Sequence, residues 1–340
     1  MDTPQQSPIA HIDPRRRRLL AAGAGLAALP WLPGAARASA WPDRPIRIVA
    51  AQAPGSSNDS TARALAEYFA NKLNVSVVVE NKPGGVGMIA AETVARSAPD
   101  GYTLLFTLQS QLAQAPVLLR KPPISPSRDL VPIAATSTGV GVMVATKGLP
   151  ARNFKELLAL ARKRPVSVGN YGIGSGWQLM VTQLARDTGA QFDIINYKGT
   201  GAMVGDLLAG HIDIGAGSLL GLAGGIASGG LRPLLVINGA RSAKLPGIPT
   251  WAEEGIKGPA FENLTECNML LGPAGLPAPI VSRLATLVTD SVSQSERVRT
   301  VRDQLGSEDV PLTGAALQSF INRTWPTFQA MTRSIGLTVE

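Results

Sequence analysis

Pro45-Ile46-Arg47-Ile48-Val49-Ala50 is a short apolar strand, and after Ala51 it runs into Gln52-Ala53-Pro54-Gly55-Ser56-Ser57-Asn58-Asp59. That second stretch is a loop dense in turn formers and helix caps. Beyond it Ala62, Leu65, Ala66, Phe69 and Leu73 recur at spacings of three and four, one apolar stripe of a helix. A strand over 75–80 follows, then the loop Pro83-Gly84-Gly85 and a short helix to about residue 97. Pro99-Asp100-Gly101 turns the chain into a strand over 102–107. Strand, helix, strand, helix, strand at this rhythm is what a parallel sheet with helical crossovers requires.

The rhythm returns in the middle of the chain. The spacing predicts strands over 140–146, 166–171, 192–197, 212–215 and 231–238. Between them fall helices from Asn153 to Arg164, where Pro165 stops the turn, from Gly176 to about 187, and over 203–210. After Pro249 the pattern loosens until a strand over 268–271. Helices over 279–294, 295–305 and 314–335 complete the chain. Two α/β units with a cleft between their glycine- and serine-rich loops are expected, residues 41–143 with 266–340 forming one and 144–265 the other. Such a pair suits a hinged protein that closes on a small ligand.

The opening segment reads as a leader. Arg15-Arg16-Arg17-Arg18 precede a charge-free run to Leu32, and Ala38-Ser39-Ala40 is the small-x-small pattern of a cleavage site after Ala40. Consecutive arginines before a mild Ala/Gly run favour twin-arginine export over the general route. The run is shorter than the roughly 20 residues of a spanning helix, and no Cys follows it to carry a lipid. The mature protein is therefore expected in the periplasm. Residues 1–40 hold five arginines and two aspartates, so the formal charge falls from +8 to +5 without them. The remaining basic residues are scattered and give no nucleic-acid signature. One cysteine, Cys267, and one mature histidine, His211, weigh against triad hydrolases and histidine- or cysteine-held metals. Neither a cofactor nor a catalytic group is expected.

Three loops carry candidate ligand contacts. Gly55, Ser56, Ser57, Asn58 and Asp59 lead into a helix N-terminus, whose unpartnered amides and positive dipole end welcome an anion; plain capping is the competing reading. Asp59 is a poor anion ligand, better suited to capping or to an amine or hydroxyl. Gly172-Ile173-Gly174-Ser175-Gly176-Trp177 departs from the dinucleotide spacing Gly-x-Gly-x-x-Gly and suits a backbone anion cradle built by Gly174, Ser175 and Gly176. Trp177 reads as a pocket wall or as core. Tyr197-Lys198-Gly199 ends a strand; there the ammonium of Lys198 either overhangs the cleft or is simply solvated. His211 reads as a surface or cap residue and Cys267 as a small core residue.

These segments together resemble a known family, the Bug-type extracytoplasmic solute receptors of tripartite tricarboxylate transporters. The pieces that carry the resemblance are Glu80-Asn81-Lys82-Pro83-Gly84-Gly85-Val86-Gly87, Ala98-Pro99-Asp100-Gly101-Tyr102-Thr103-Leu104-Leu105 and Tyr197-Lys198-Gly199. Asp206-Leu207-Leu208-Ala209-Gly210-His211-Ile212-Asp213, Leu245-Pro246-Gly247-Ile248-Pro249-Thr250 and Gly272-Pro273-Ala274-Gly275-Leu276-Pro277 stand in the same order. The resemblance implies a periplasmic-binding-protein fold of two α/β domains joined by two crossing strands. It implies a monomeric, non-enzymatic receptor that holds a small carboxylate between its lobes and delivers it to membrane permease subunits. The same fold also serves receptors that report to a sensor kinase, and an exported enzyme is the remaining alternative. Carried over by position, the contacts are the 54–59 loop, Gly85, Gly87 and Met88 in the first domain, and Gly174, Ser175, Gly176, Trp177, Tyr197, Lys198 and Gly199 in the second.

The sequence departs from the family pattern where the ligand would sit. Ser56 replaces a glycine, Met88 replaces an asparagine, and Trp177-Gln178 replace small polar residues and a histidine. Ile214-Gly215-Ala216-Gly217-Ser218 lacks the polar side chains usual after Ile212-Asp213. A solute with one carboxylate and an apolar or aromatic body is expected to suit this cleft better than a tricarboxylate.

Overall fold

The structure, a computed structural model, describes residues 41–338 apart from Asn263, Glu308 and Leu337. The leader expected over residues 1–40, including its arginines and cleavage site, lies outside the described residues.

The chain opens β1 (Ile46–Ala50), α1 (Ser57–Leu73), β2 (Val77–Asn81), α2 (Met88–Ala95) and β3 (Thr103–Leu108). β1 lies between β2 and β3 and runs parallel to both, with Ile48 opposite Val79 and Leu104. Ile46, Ile48 and Val49 are fully buried, as expected of a strand covered on both faces by crossover helices. Next come α3 (Gln109–Leu118) and β4 (Leu130–Ser137), which stand where no element is expected from the sequence. The chain then passes to the second sheet through residues 138–140.

That sheet is built from β5 (Gly141–Thr146), α4 (Phe154–Ala161), β6 (Val166–Asn170), α5 (Gly176–Thr188), β7 (Phe192–Asn196), α6 (Thr200–Ala209), β8 (Ile214–Ser218), α7 (Leu219–Ala227) and β9 (Leu231–Val236). Its strand order is β7-β6-β8-β5-β9, parallel among β7, β6 and β8, with β5 antiparallel to both its neighbours. The chain returns through residues 237–266 to β10 (Cys267–Pro273), α8 (Ala278–Gln294), α9 (Glu296–Leu305), β11 (Leu312–Thr313) and α10 (Gly314–Ile335). The first sheet is therefore β11-β4-β10-β3-β1-β2, with β10 antiparallel to β3 and β4. Two α/β sheets linked by two passages of chain give the expected periplasmic-binding-protein architecture.

α3 is buried although its face is polar. Gln109, Ser110 and Gln114 are fully enclosed, and each glutamine is committed to several elements. Gln109 accepts from Thr324 of α10 and donates to the Thr265 carbonyl. Gln114 accepts from Thr332 of α10 at 3.0 Å and donates to the carbonyl of Gly174 at 2.8 Å, beyond β6. Satisfied in this way, buried amides fix a unique arrangement instead of costing desolvation. Gln114 thus ties the first sheet's helices to the loop after β6.

Candidate functional site

The carboxyl ends of β1, β6, β7 and β8 open onto one cavity of about 160 Å³. For scale, a dry cavity of about 150 Å³ accommodates benzene, so this one suits a solute of roughly six to ten heavy atoms. Four helices present their N-termini to it. Ser57 and Asn58 begin α1, Gly176 and Trp177 begin α5, Thr200 begins α6, and Ser218 caps α7. The first amides of each helix have no intrahelical acceptor, and each N-terminus carries about half a positive charge.

The caps hold these termini in place. Ser56 Oγ accepts from Asp59 N at 3.2 Å, Ser175 Oγ accepts from Gln178 N at 3.1 Å, and Ser218 Oγ accepts from Gly221 N. Ser175 is fully occupied, since its hydroxyl also donates to Asn170 Oδ1 at 2.6 Å. The lining also carries apolar side chains: Leu108, Trp177, Met180, Ile237, Phe261 and Leu264. Trp177 is 1% exposed and donates its indole N–H to the Gly169 carbonyl at 3.0 Å, which fixes the ring as a wall. Both readings of Trp177, core and wall, describe it.

Of the expected contacts, Ser56, Ser57, Asn58, Gly176 and Trp177 meet at this cavity. The others stand off its wall for identifiable reasons. Asp59 is buried behind its turn, accepting from Gly55 N, Arg63 and Asn81. Burial raises its carboxyl's pKa, but those partners outweigh burial and hold it below the usual range. Met88 is 2% exposed and packs into the core with Val49, Ala90 and Leu105, so the bulk expected from it at the cleft is absent. Gly85 and Gly87 form a tight turn that packs near Ile89 and Gln111. The Tyr197 hydroxyl donates to Asp206 at 2.6 Å; burial and that carboxylate push its pKa up to about 12. Lys198 is exposed and does not line the cavity. Gly55 lies one residue before the α1 cap, at φ +79°.

Two of the expected glycines act at the seam between the sheets. Gly199, at φ +132°, places its backbone where a Cβ would sit 3.4 Å from Ala53 of the β1 loop. Gly174, at φ +74°, would bring a Cβ to 2.6 Å from Val86 Cγ1 and 3.0 Å from Leu118 Cδ2. Gly174→Ala is therefore expected to cost at least about 1–2 kcal/mol from the left-handed backbone alone and to push the loop after β6 away from α3. Gly172→Ala is the control, because its Cβ would meet only Gln111 Nε2 at 3.7 Å. Urea unfolding of the two variants checks this; equal losses would contradict it.

Several wall residues have no expectation behind them. Thr200 and Ser218 carry a helix-start signal that cap rules detect. Gln52, Asn238 and the 261–266 segment carry none. The last of these brings Glu266 to the cavity. Its Oε1 accepts from Ser110 N at 3.2 Å, while burial pushes the carboxyl up to about 7 against the easing amides of Ser110, Gly176 and Cys267.

A family model described as "Tripartite tricarboxylate transporter family receptor" matches residues 61–337. Protein BugT of Bordetella pertussis is 31% identical over 287 residues, 84% of this chain and 87% of BugT. Among solved structures, the periplasmic binding protein BugD superposes with a TM-score of 0.79 at 30% identity, covering 88% of this chain and all of BugD. Rpa4515 of R. palustris, solved with adipate, gives 0.80 at 26% identity over 87% of this chain and 98% of its own. MatC of Rhodopseudomonas palustris, solved with bound malate, gives 0.71 at 25% identity over 87% and 98%. With two linked α/β sheets, helix N-termini converging on one cavity and a family match over most of its length, the chain belongs to the tripartite tricarboxylate transporter receptor family.

Proposed function

We propose that the protein is an extracytoplasmic receptor that captures a small carboxylate between two lobes and passes it to the permease of a tripartite tricarboxylate-type transporter. The observation that carries this reading is the convergence of four helix N-termini on a cavity whose wall, among the described residues, holds no lysine, arginine or histidine. An anion there is held by backbone amides and dipoles, with Ser57, Asn58, Gly176, Thr200 and Ser218 as the contacts. The adipate of Rpa4515 and the malate of MatC support a carboxylate as the solute. The apolar wall of Trp177, Met180 and Phe261 favours an acid with an apolar body over a tricarboxylate. The hinge lies at residues 138–140, where β4 hands over to β5, and in the 237–266 segment. No helix among the described residues is long and apolar enough to cross a membrane, in keeping with a receptor that works beside its permease.

A thermal-shift screen tests this. Benzoate and adipate are expected to stabilise the protein, by about 2.7 kcal/mol at a hundredfold excess over Kd, and to be recovered unchanged. Stabilisation by citrate alone would overturn the apolar-body assignment. Turnover of the acid, or no stabilisation by any carboxylate, would overturn the receptor reading.

A further inference from the structure

Glu266 is the feature of the cavity that a carboxylate receptor leaves unexplained. As a residue it is partly buried, but its Oε2 is sealed from solvent and makes no well-formed hydrogen bond, although the Gly176 and Cys267 amides lie close enough to ease the carboxyl's charge. A Cβ built on Gly176, the first residue of α5, would lie 3.6 Å from that oxygen and 3.6 Å from the Phe328 ring of α10. Around the carboxyl, α3 contributes Ser110 and no ionisable group. β10 contributes Cys267, whose thiol is itself driven well up by burial and by Glu266. The loop after β6 contributes Tyr171, its phenol raised by burial and then by Glu266. The connecting segment adds Glu262, which is exposed. None of these offers a positive charge, and no other ionisable side chain among the described residues lines the cavity.

A second carboxylate brought into this space meets a like charge with no cationic side chain beside either of them. Two carboxylates sharing a desolvated site do not both ionise; they hold one proton between them. We propose that Glu266 is a ligand contact and makes that contact protonated: its carboxyl donates an O–H to a carboxylate oxygen of the solute, so binding takes up a proton wherever Glu266 is ionised in the free protein. On binding, the carboxyl turns to bring its sealed, unpartnered oxygen to the solute, where it gains a hydrogen bond; the helix N-termini face the remaining negative charge, and no buried charge is left bare. This rests on the carboxylate-receptor reading. It assigns to the site a solute class, mono- or dicarboxylates that enter as anions and accept a hydrogen bond, and excludes solutes that present an ammonium to Glu266.

Calorimetric titration with adipate and with benzoate, at pH 6.0 and 8.0, tests the proposal in the parent and in Glu266→Gln. With the carboxyl titrating near 7, the protonated fraction falls from about nine-tenths to about one-tenth across this range. Affinity of the parent is then expected to weaken about tenfold. The ratio of Kd values in Glu266→Gln is expected to lie near one. Repeating the pH 8.0 titration in two buffers of different ionisation heat is expected to show close to one proton taken up by the parent. An affinity that is flat, or that rises with pH, or a variant with the parent's pH profile, overturns the proposal. A ligand-free arm separates this from failure of the receptor reading: the 13C-labelled glutamate carboxyls of the parent are titrated by NMR. A Glu266 midpoint in the ordinary carboxylate range overturns the proposal, whereas failure of both acids to bind at pH 6.0 overturns the receptor reading.

Discussion

Above pH 7 the Glu266→Gln protein is expected to be more stable than its parent, by up to about 3 kcal/mol, and to lose that advantage as the pH falls to 5. The cause is the buried carboxyl. Its folded-state pKa stands near 7 while the unfolded chain's glutamate keeps the ordinary value of 4.5. Between those two values the folded state holds a proton that the unfolded state has released. Stability of the parent therefore falls as pH rises through the window from about 4.5 to about 7, and is flat on either side of it. The displacement corresponds to roughly 3 kcal/mol at 1.36 kcal/mol per pH unit. Glutamine has the same shape, accepts from Ser110 N as Glu266 does, and does not titrate, so the difference between the two proteins isolates this one group. Carboxylates such as Asp59, held below their usual range, act with the opposite sign in both proteins and cancel. Urea unfolding at pH 5, 6, 7 and 8 reads the effect. A difference that stays constant across the series would show that Glu266 shares the solvent's view of a carboxylate.

Replacing Trp251 by alanine is expected to cost about 3–5 kcal/mol, the range for deleting a large buried aromatic ring. Trp251 is the anchor of the long passage back to the first sheet. It is 2% exposed, meets Phe154 edge-on with ring centroids 5.6 Å apart, and lies 4.9 Å from Phe261. Its indole N–H donates to the Ile237 carbonyl at 3.2 Å. Phe261 and Ile237 both line the cavity, so the variant is also expected to show a smaller thermal shift with benzoate than the parent. Trp251→Phe keeps most of the ring contact and is expected to recover more than half of the lost stability. A loss below about 1 kcal/mol in the alanine variant would mean that the 237–266 segment is held by something other than this cluster.

Much of this architecture is legible in the sequence because it rests on periodicity and caps. β1, the 52–59 loop and α1 are each announced, one by a run of apolar residues, one by Gly and Ser, one by a stripe at three and four. Ser56 and Ser175 are visible as caps for the same reason, and with them two of the four helix N-termini at the cavity. α3 is not legible: Gln109, Ser110, Gln111 and Gln114 give no apolar stripe, and Pro116 argues against a helix. What buries it is pairing with Thr324, Thr332 and the Gly174 carbonyl, from segments far along the chain. Met88 and Lys198 show the converse. Met88 opens α2 and Lys198 follows β7, and a position along the chain does not say which way a side chain turns. One packs into the core and the other faces solvent. Glu266 lies between Thr265 and Cys267 with no pattern around it, and only the meeting of α3, α5 and β10 makes it a cavity group.

A crystal structure of the protein with benzoate or adipate bound shows whether helix N-termini hold the carboxylate. Carboxylate oxygens are expected within hydrogen-bonding distance, about 3.2 Å or less, of backbone amides at the starts of α1 and α5, with the organic body against Trp177 and Phe261 and no lysine or arginine in contact. A carboxylate seated on Lys198, or outside the cavity between the two sheets, would contradict it.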